Sequence, residues 1–300
     1  MKMGPNHRIQ RYLRAADPHV REQGNKGEET VSSSLLSGIQ EHFLAFTRRW
    51  HTPPIARPWF RGHERPDWQL VPSILRSGNQ QHEFHLTKLF RLLAPGFGVE
   101  IDIHRLDQWL FVMQHNGAPT RLLDWSESLN TALFFACLDW IKHRDIAKCA
   151  DGAVFALNPM FLNEQVLGMS DFPVTWVQNR VLQTIKFAFG TQDELVVGPD
   201  QAPITYLQSP VAIFPSTVHG RIRAQKACFT LYGADHRDLR TIFANSGWSA
   251  ANMLLEYAIP RDSKPQLAED LAQAGTTYST IFPDLEGLTS DLMFQFRIVP

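Results

Sequence analysis

The chain has 300 residues, 44% of them hydrophobic, which is enough for a sizeable core and too much for a disordered segment. Its 29 basic and 30 acidic residues leave a formal net charge of -1, which excludes a general electrostatic grip on nucleic acid or an anionic membrane, though not a local basic patch. Cys137, Cys149 and Cys228 are an odd number at no metal-ligand spacing, so reduced thiols in an intracellular protein are expected.

In chain order, residues 1–33 are polar, charged and rich in turn formers. They read as a loose or peripheral N-terminal arm ahead of one domain over 34–300. The opening "MKMGPNHRIQRYLRAADPHV" has no continuous apolar core and is no secretory signal. No segment reaches membrane-spanning length, so no membrane association is expected and a cytoplasmic location follows by default. "SSLLSGIQEHFLAFTRRW" spaces Leu36, Ile39, Phe43 and Phe46 as a helix does. The prolines of "HTPPIARP" forbid its continuation, which leaves Trp59–Gly62 as a short strand.

"QHEFHLTKLFRLL" and "RLDQWLFVMQHNG" read as helices closed by Pro95-Gly96 and Asn116-Gly117. "APTRLLDWSES" is a loop or short strand before "LNTALFFACLDWIKH", a buried central helix. From Asp151 onward "GAVFAL", "VAIFPS", "ACFTLYG" and "NMLLEYAIP" are strands, while "QNRVLQTIKFAFG", "KPQLAEDLAQAG" and "PDLEGLTSDLMFQFRI" are helices. A helical first half and a strand-rich second half predict an α+β fold, a mixed and mostly antiparallel sheet with packed helices.

Three stretches carry candidate chemistry. Arg61, between Phe60 and Gly62, is either a structural ion pair with Asp124 or Glu64, or a planar fork for phosphate or carboxylate. Gly62, lacking Cβ, would let a ligand approach the backbone. In "QHNGAPTRLLDWSESLNTALFFA", Asp124 or Ser126 can cap the following helix, and Arg121 can pair with Asp124. Capping does not account for Arg121 and Trp125, and an apolar helix so dressed suits a phosphate or a flat ring. In "HGRIRAQKACFTLYG", Arg221 and Arg223 share a strand face with Gln225, as a solvated edge or as part of a site shared with Arg61. His82 and His85 are too few for a metal site, so no metal is expected. His115 is the one histidine kept as a catalytic candidate.

"WFRGH", "HNGAPTRLLDWSESLNTALFFA", "RIRAQKACF" and "IFPDLEGL" resemble successive motifs of the FRG domain family of bacterial and phage proteins, over about Phe60 to Leu288. More distantly, the aromatic-Arg-Gly motif resembles the opening motif of arginine-type ADP-ribosyltransferases. That resemblance implies an ADP-ribosyltransferase-like fold, with Arg61 holding the anionic part of NAD. Asp124-Trp125-Ser126 would stand for that family's Ser-Thr-Ser strand, followed by Ala132 and Phe135 on the helix. Gln225 would take the place of its catalytic glutamate, keeping a hydrogen bond but losing the charge that stabilises an oxocarbenium-like centre. Asp124 would then supply that charge. Arg121 and Arg221 would support phosphate, Trp125 would wall a ring and Ser126 would orient a ribose. NAD is implied as substrate, with a protein or nucleic-acid acceptor or plain hydrolysis, in a toxin or anti-phage effector. A nucleotide-sensing module without turnover is the alternative.

Overall fold

A computed structural model of the chain describes residues 34–50, 57–173, 175, 177–190, 206–216, 220–248, 252–296 and 298. The expected arm at 1–33 and the Pro-rich turn at 51–56 lie outside the described residues.

The first helix, α1 (Leu35–Thr47), is capped by Ser34, whose hydroxyl accepts from the Ser37 N–H, and buries Leu36, Ile39 and Phe43. β1 (Trp59–His63) follows, then a 3-10 stretch (Ser73–His82) that runs into α2 (Glu83–Leu93). α3 (Leu106–His115) ends at Asn116, and Gly117 takes the left-handed conformation (φ 78°) that lets the chain turn into β2 (Leu122–Ser126).

The expected central helix is two helices, α4 (Leu129–Ala136) and α5 (Leu138–His143). The break falls at Cys137, which leaves helical geometry (φ -100°, ψ 6°), while its N–H still bonds back to Leu133 and Phe134. β3 (Gly152–Leu157) is buried on both faces, as its unbroken apolar run requires. Then come α6 (Pro159–Leu167), α7 (Asn179–Ala188) and β4 (Val211–Ile213). A short α8 (Gly220–Ala224) precedes β5 (Ala227–Leu231), and α9 (Leu239–Asn245) precedes β6 (Leu254–Ile259). α10 (Lys264–Gln273), α11 (Tyr278–Ile281) and α12 (Leu285–Gln295) follow.

The fold is α+β. Its strands form one sheet in the order β4-β5-β2-β1-β3-β6, and every pairing is antiparallel. Phe60 pairs with Ser126, so both face the same side, and by alternation so do Gly62, Asp124 and Leu122. On that side one core gathers Phe60, Val154 and Ala156 under α1, α4 and α10. A second gathers Leu122, Phe229 and Leu231 under α3 and α7. The opposite side buries Trp59, Leu123, Trp125, Phe155 and Cys228. Between the first two cores, over the middle strands, the sheet is left open. The three cysteines are free and buried.

Candidate functional site

β1 and β2 are sequence-remote neighbours that pair at the single position Phe60–Ser126 and then separate. Into this split goes the Arg61 guanidinium. Its Nη1 donates to the Asp124 carbonyl at 2.7 Å, taking an acceptor that a continued ladder would have used. Its Nε donates to His63 Nε2 at 2.8 Å. Burial, reinforced by the cations Arg61, Arg76 and Arg240, pushes the His63 imidazole down to about 2, so it stays neutral and its Nε2 accepts. Burial also lowers Arg61, to about 10, against the opposing pull of Asp124, and it remains a cation at neutral pH.

Gly62 serves another purpose than the one expected. A Cβ there would lie 1.8 Å from the Ala132 carbonyl oxygen, so the missing side chain admits α4, not a ligand, against β1. Helix α4 is capped by Ser128, which accepts from the Thr131 N–H at 3.3 Å, and not by Asp124 or Ser126. Ser126 instead gives its proton to the Gln225 carbonyl at 2.6 Å and accepts from the Ser128 N–H at 2.9 Å.

Above the split lies a cavity of about 380 Å³, within the ~300–1,000 Å³ usual for ligand sites. Its floor is Phe60, Arg61, Gly62, Asp124, Ser126 and Phe229. α3 walls one side with Phe111, Gln114 and His115, and α4 the other with Thr131 and Phe135. Arg221, Gln225 and Phe282 close the far edge, where the Arg221 guanidinium stacks 4.4 Å from the Phe282 ring centroid. The Asp124 carboxylate is 54% exposed and stands 3.9 Å from Arg61 Nη1, which is 17% exposed on its side chain. Gln114 Nε2 donates to both Asp124 oxygens at 2.9 Å, and Gln114 Oε1 in turn accepts from the Thr120 hydroxyl.

Arg61, His115, Asp124, Ser126, Arg221 and Gln225 therefore meet at one cavity although they are far apart in the chain. Two expectations need correction. Arg121 is not a cavity residue and does not pair with Asp124. It is 1% exposed, forks onto the Glu83 carboxylate (2.7 Å from Nε), and gives Nη1 to the carbonyls of Tyr232 and Gly233. Arg221 and Gln225 are not on a strand. They span one helical turn, the Gln225 N–H bonding to the Arg221 carbonyl at 3.0 Å, and Lys226 (φ 47°) ends the turn before β5.

Trp125 borders the cavity, but its ring packs in the core of the opposite face with Nε1 on the Thr230 hydroxyl, so the half-buried aromatic walls are Phe135 and Phe282. Gln114, Phe135 and Phe282 were not assigned binding roles from the sequence, although all three lie inside stretches already notable as motifs and Phe135 was named there for its register on the helix. Gln225 Nε2 donates to the Ile281 carbonyl at 3.3 Å, tying α8 to α11.

Among the described residues no group of three or more His, Cys, Asp or Glu stands close enough to hold a metal ion, and no helix is long and apolar enough to cross a membrane. Residues 56–145 match the family model of the FRG domain. The matched stretch supplies Arg61, His115, Asp124 and Ser126, while Arg221 and Gln225 lie beyond it. No curated protein matches the chain, and no solved structure does.

Proposed function

We propose that the cavity is a nucleotide site that takes NAD and cleaves its nicotinamide–ribose bond, in the manner of an ADP-ribosyltransferase or NAD glycohydrolase. The observation that carries this reading is the convergence of a cation, a half-exposed carboxylate and aromatic walls: Arg61, Asp124, Phe135 and Phe282 line one cavity. Arg61 already spends two donors on His63 and the Asp124 carbonyl, so it meets a phosphate through its remaining N–H groups, in a fixed orientation. A flat ring packs against the edge-to-face pair of Phe135 and Phe282, whose ring centroids are 6.0 Å apart. As the C–N bond breaks, nicotinamide leaves with the bonding electrons and positive charge develops at the ribose carbon. Asp124 stabilises that charge, and water or an acceptor nucleophile captures the carbon. Gln225 offers no charge, so the electrostatic role rests on Asp124.

The test is incubation with labelled NAD, reading nicotinamide release and label transfer to lysate protein or nucleic acid, with calorimetry alongside. Wild type should bind and turn over NAD. Arg61→Ala should lose binding, and Asp124→Asn should bind without turnover. No binding of NAD by the wild-type chain overturns the reading. A second reading, binding without chemistry, draws on Gln225, whose amide is neutral and already engaged with Ile281. Wild-type binding without nicotinamide release would favour it.

A further inference from the structure

A second cavity, about 180 Å³, adjoins the first and shares two of its lining residues, Arg221 and Phe282. That stacked pair, guanidinium 4.4 Å from ring centroid, is therefore a partition with a chamber on either side. The smaller chamber lies between Lys142 of α5 and the turn from α11 into α12. Its size is below the ~300–1,000 Å³ usual for a ligand site, so it suits one portion of a ligand held mainly in the larger chamber.

Arg221 is the informative half of the partition. Arg121 spends its fork on Glu83 and two carbonyls, and Arg61 spends two donors on His63 and the Asp124 carbonyl. Among the described residues the Arg221 side chain makes no hydrogen bond and no ion pair, and its Nε is buried without an acceptor. A donor left so in a protein interior is costly. Stacked on a ring between two cavities, this cation keeps its fork for an anion that bridges them.

The smaller chamber offers what the far half of a dinucleotide needs. The rings of Tyr278 and Phe282, with centroids 5.8 Å apart and planes at 35°, give a flat base aromatic surface. Glu286 brings an exposed carboxylate, the group that accepts from ribose hydroxyls in dinucleotide sites. Asp284 is committed elsewhere, since its Oδ1 accepts from the Gly287 N–H at 2.8 Å and caps α12. Exposed Lys142 adds a second positive charge beside Arg221.

We propose that the two chambers hold one dinucleotide across the Arg221–Phe282 partition. The reacting ribose lies by Asp124, the diphosphate runs from Arg61 to Arg221, and the second nucleoside occupies the smaller chamber. This rests on the nucleotide reading above and adds a substrate class to it: a ligand with two nucleosides, not a mononucleotide.

The test is calorimetry of the full chain with NAD and with nicotinamide mononucleotide, which lacks the second nucleoside. Wild type should bind NAD about tenfold or more tightly than the mononucleotide. Ser290 lines the smaller chamber on α12, a helix whose buried residue is Gly287, so Ser290→Trp fills that chamber with little strain elsewhere. With its fold checked by circular dichroism, this variant should bind NAD only as tightly as the mononucleotide, whose own affinity stays as in wild type. Arg221→Gln, which breaks no hydrogen bond or ion pair within the described residues, should weaken NAD about tenfold or more and the mononucleotide less. Equal wild-type affinity for the two ligands leaves the larger chamber's reading standing and overturns the second chamber's. So does undiminished NAD binding in Ser290→Trp, or an equal loss for both ligands in either folded variant. A wild type that binds neither ligand overturns both readings.

Discussion

Arg61 Nε donates to Nε2 of His63 at 2.8 Å, two residues along the same strand and on the same face of β1. A histidine accepting from an arginine must stay neutral, and here burial and three nearby cations enforce it. Arg61 leaves β1 on the face away from the cavity and reaches the cavity through the split between β1 and β2, aimed by a neighbour buried against Phe155.

The stability consequence has a definite sign. The His63 pKa is lowered from 6.5 to about 2, so below about pH 6.5 the unfolded chain takes up a proton that the folded chain refuses. Stability from this group is complete above pH 6.5 and falls as pH drops from there toward 2. Lowering the pH from about 7.5 to about 5.5 should cost about 1.4 kcal/mol through His63 alone. His63→Gln retains an acceptor but cannot titrate, so its unfolding midpoint in denaturant should lose less over this window than wild type.

Arg61→Lys keeps the charge but not the fork. A lysine ammonium can satisfy His63 Nε2 or the Asp124 carbonyl, but it lacks the planar geometry that reaches both. We expect ligand binding weakened by about tenfold or more, the ~1.4 kcal/mol scale of one charge-assisted hydrogen bond, measured by calorimetry. Binding equal to wild type would mean that Arg61 acts only as a point charge.

The elements were largely legible in the chain. Leu36, Ile39 and Phe43 have helical spacing and form the buried face of α1. "GAVFAL" has the unbroken apolar run of a strand covered on both sides, and β3 is one. What escaped the sequence are decisions made across space. "RIRAQ" alternates as a strand would, yet it is a helical turn, because Lys226 adopts a positive φ that nothing in a lysine announces. Arg121 stands three residues from Asp124, but its partner Glu83 lies 38 residues away and is reached only once α2 packs. Gln114 becomes relevant only because β2 passes beside the end of α3.

The Arg121–Glu83 pair separates structure from function. Removing the carboxylate with Glu83→Ala leaves a buried guanidinium unpaired and should cost about 3–5 kcal/mol. Because Arg121 does not line the cavity, the protein that remains folded should bind the same ligand with unchanged affinity. Denaturant titration and calorimetry on one preparation read both quantities.

Gly62→Ala should be among the most damaging single changes in β1. The added Cβ would sit 1.8 Å from the Ala132 carbonyl oxygen and 2.8 Å from the Ala136 nitrogen, both backbone atoms of α4 that cannot swing aside. Strand and helix must part, at a cost of at least about 3 kcal/mol, read as a large fall in denaturation midpoint or as insoluble protein. A compensating change is hard to make, because the obstructing atoms are main chain.

Gln114 offers the finest test of the proposed chemistry. It grips both oxygens of Asp124 and is held by Thr120, so it fixes where the carboxylate points without touching its charge. Gln114→Leu leaves the charge but frees its direction. If Asp124 stabilises a cation developing at a ribose carbon, displacement of that carboxylate by about 1 Å should lower kcat by up to about 100-fold while KM barely moves. Asp124→Asn removes the charge and leaves Gln114 Nε2 one acceptor in place of two, so it should lower kcat further still. Equal kcat in Gln114→Leu and wild type, measured by nicotinamide release, would mean that the direction of the carboxylate is irrelevant and that Asp124 serves the cavity only as a counter-charge to Arg61.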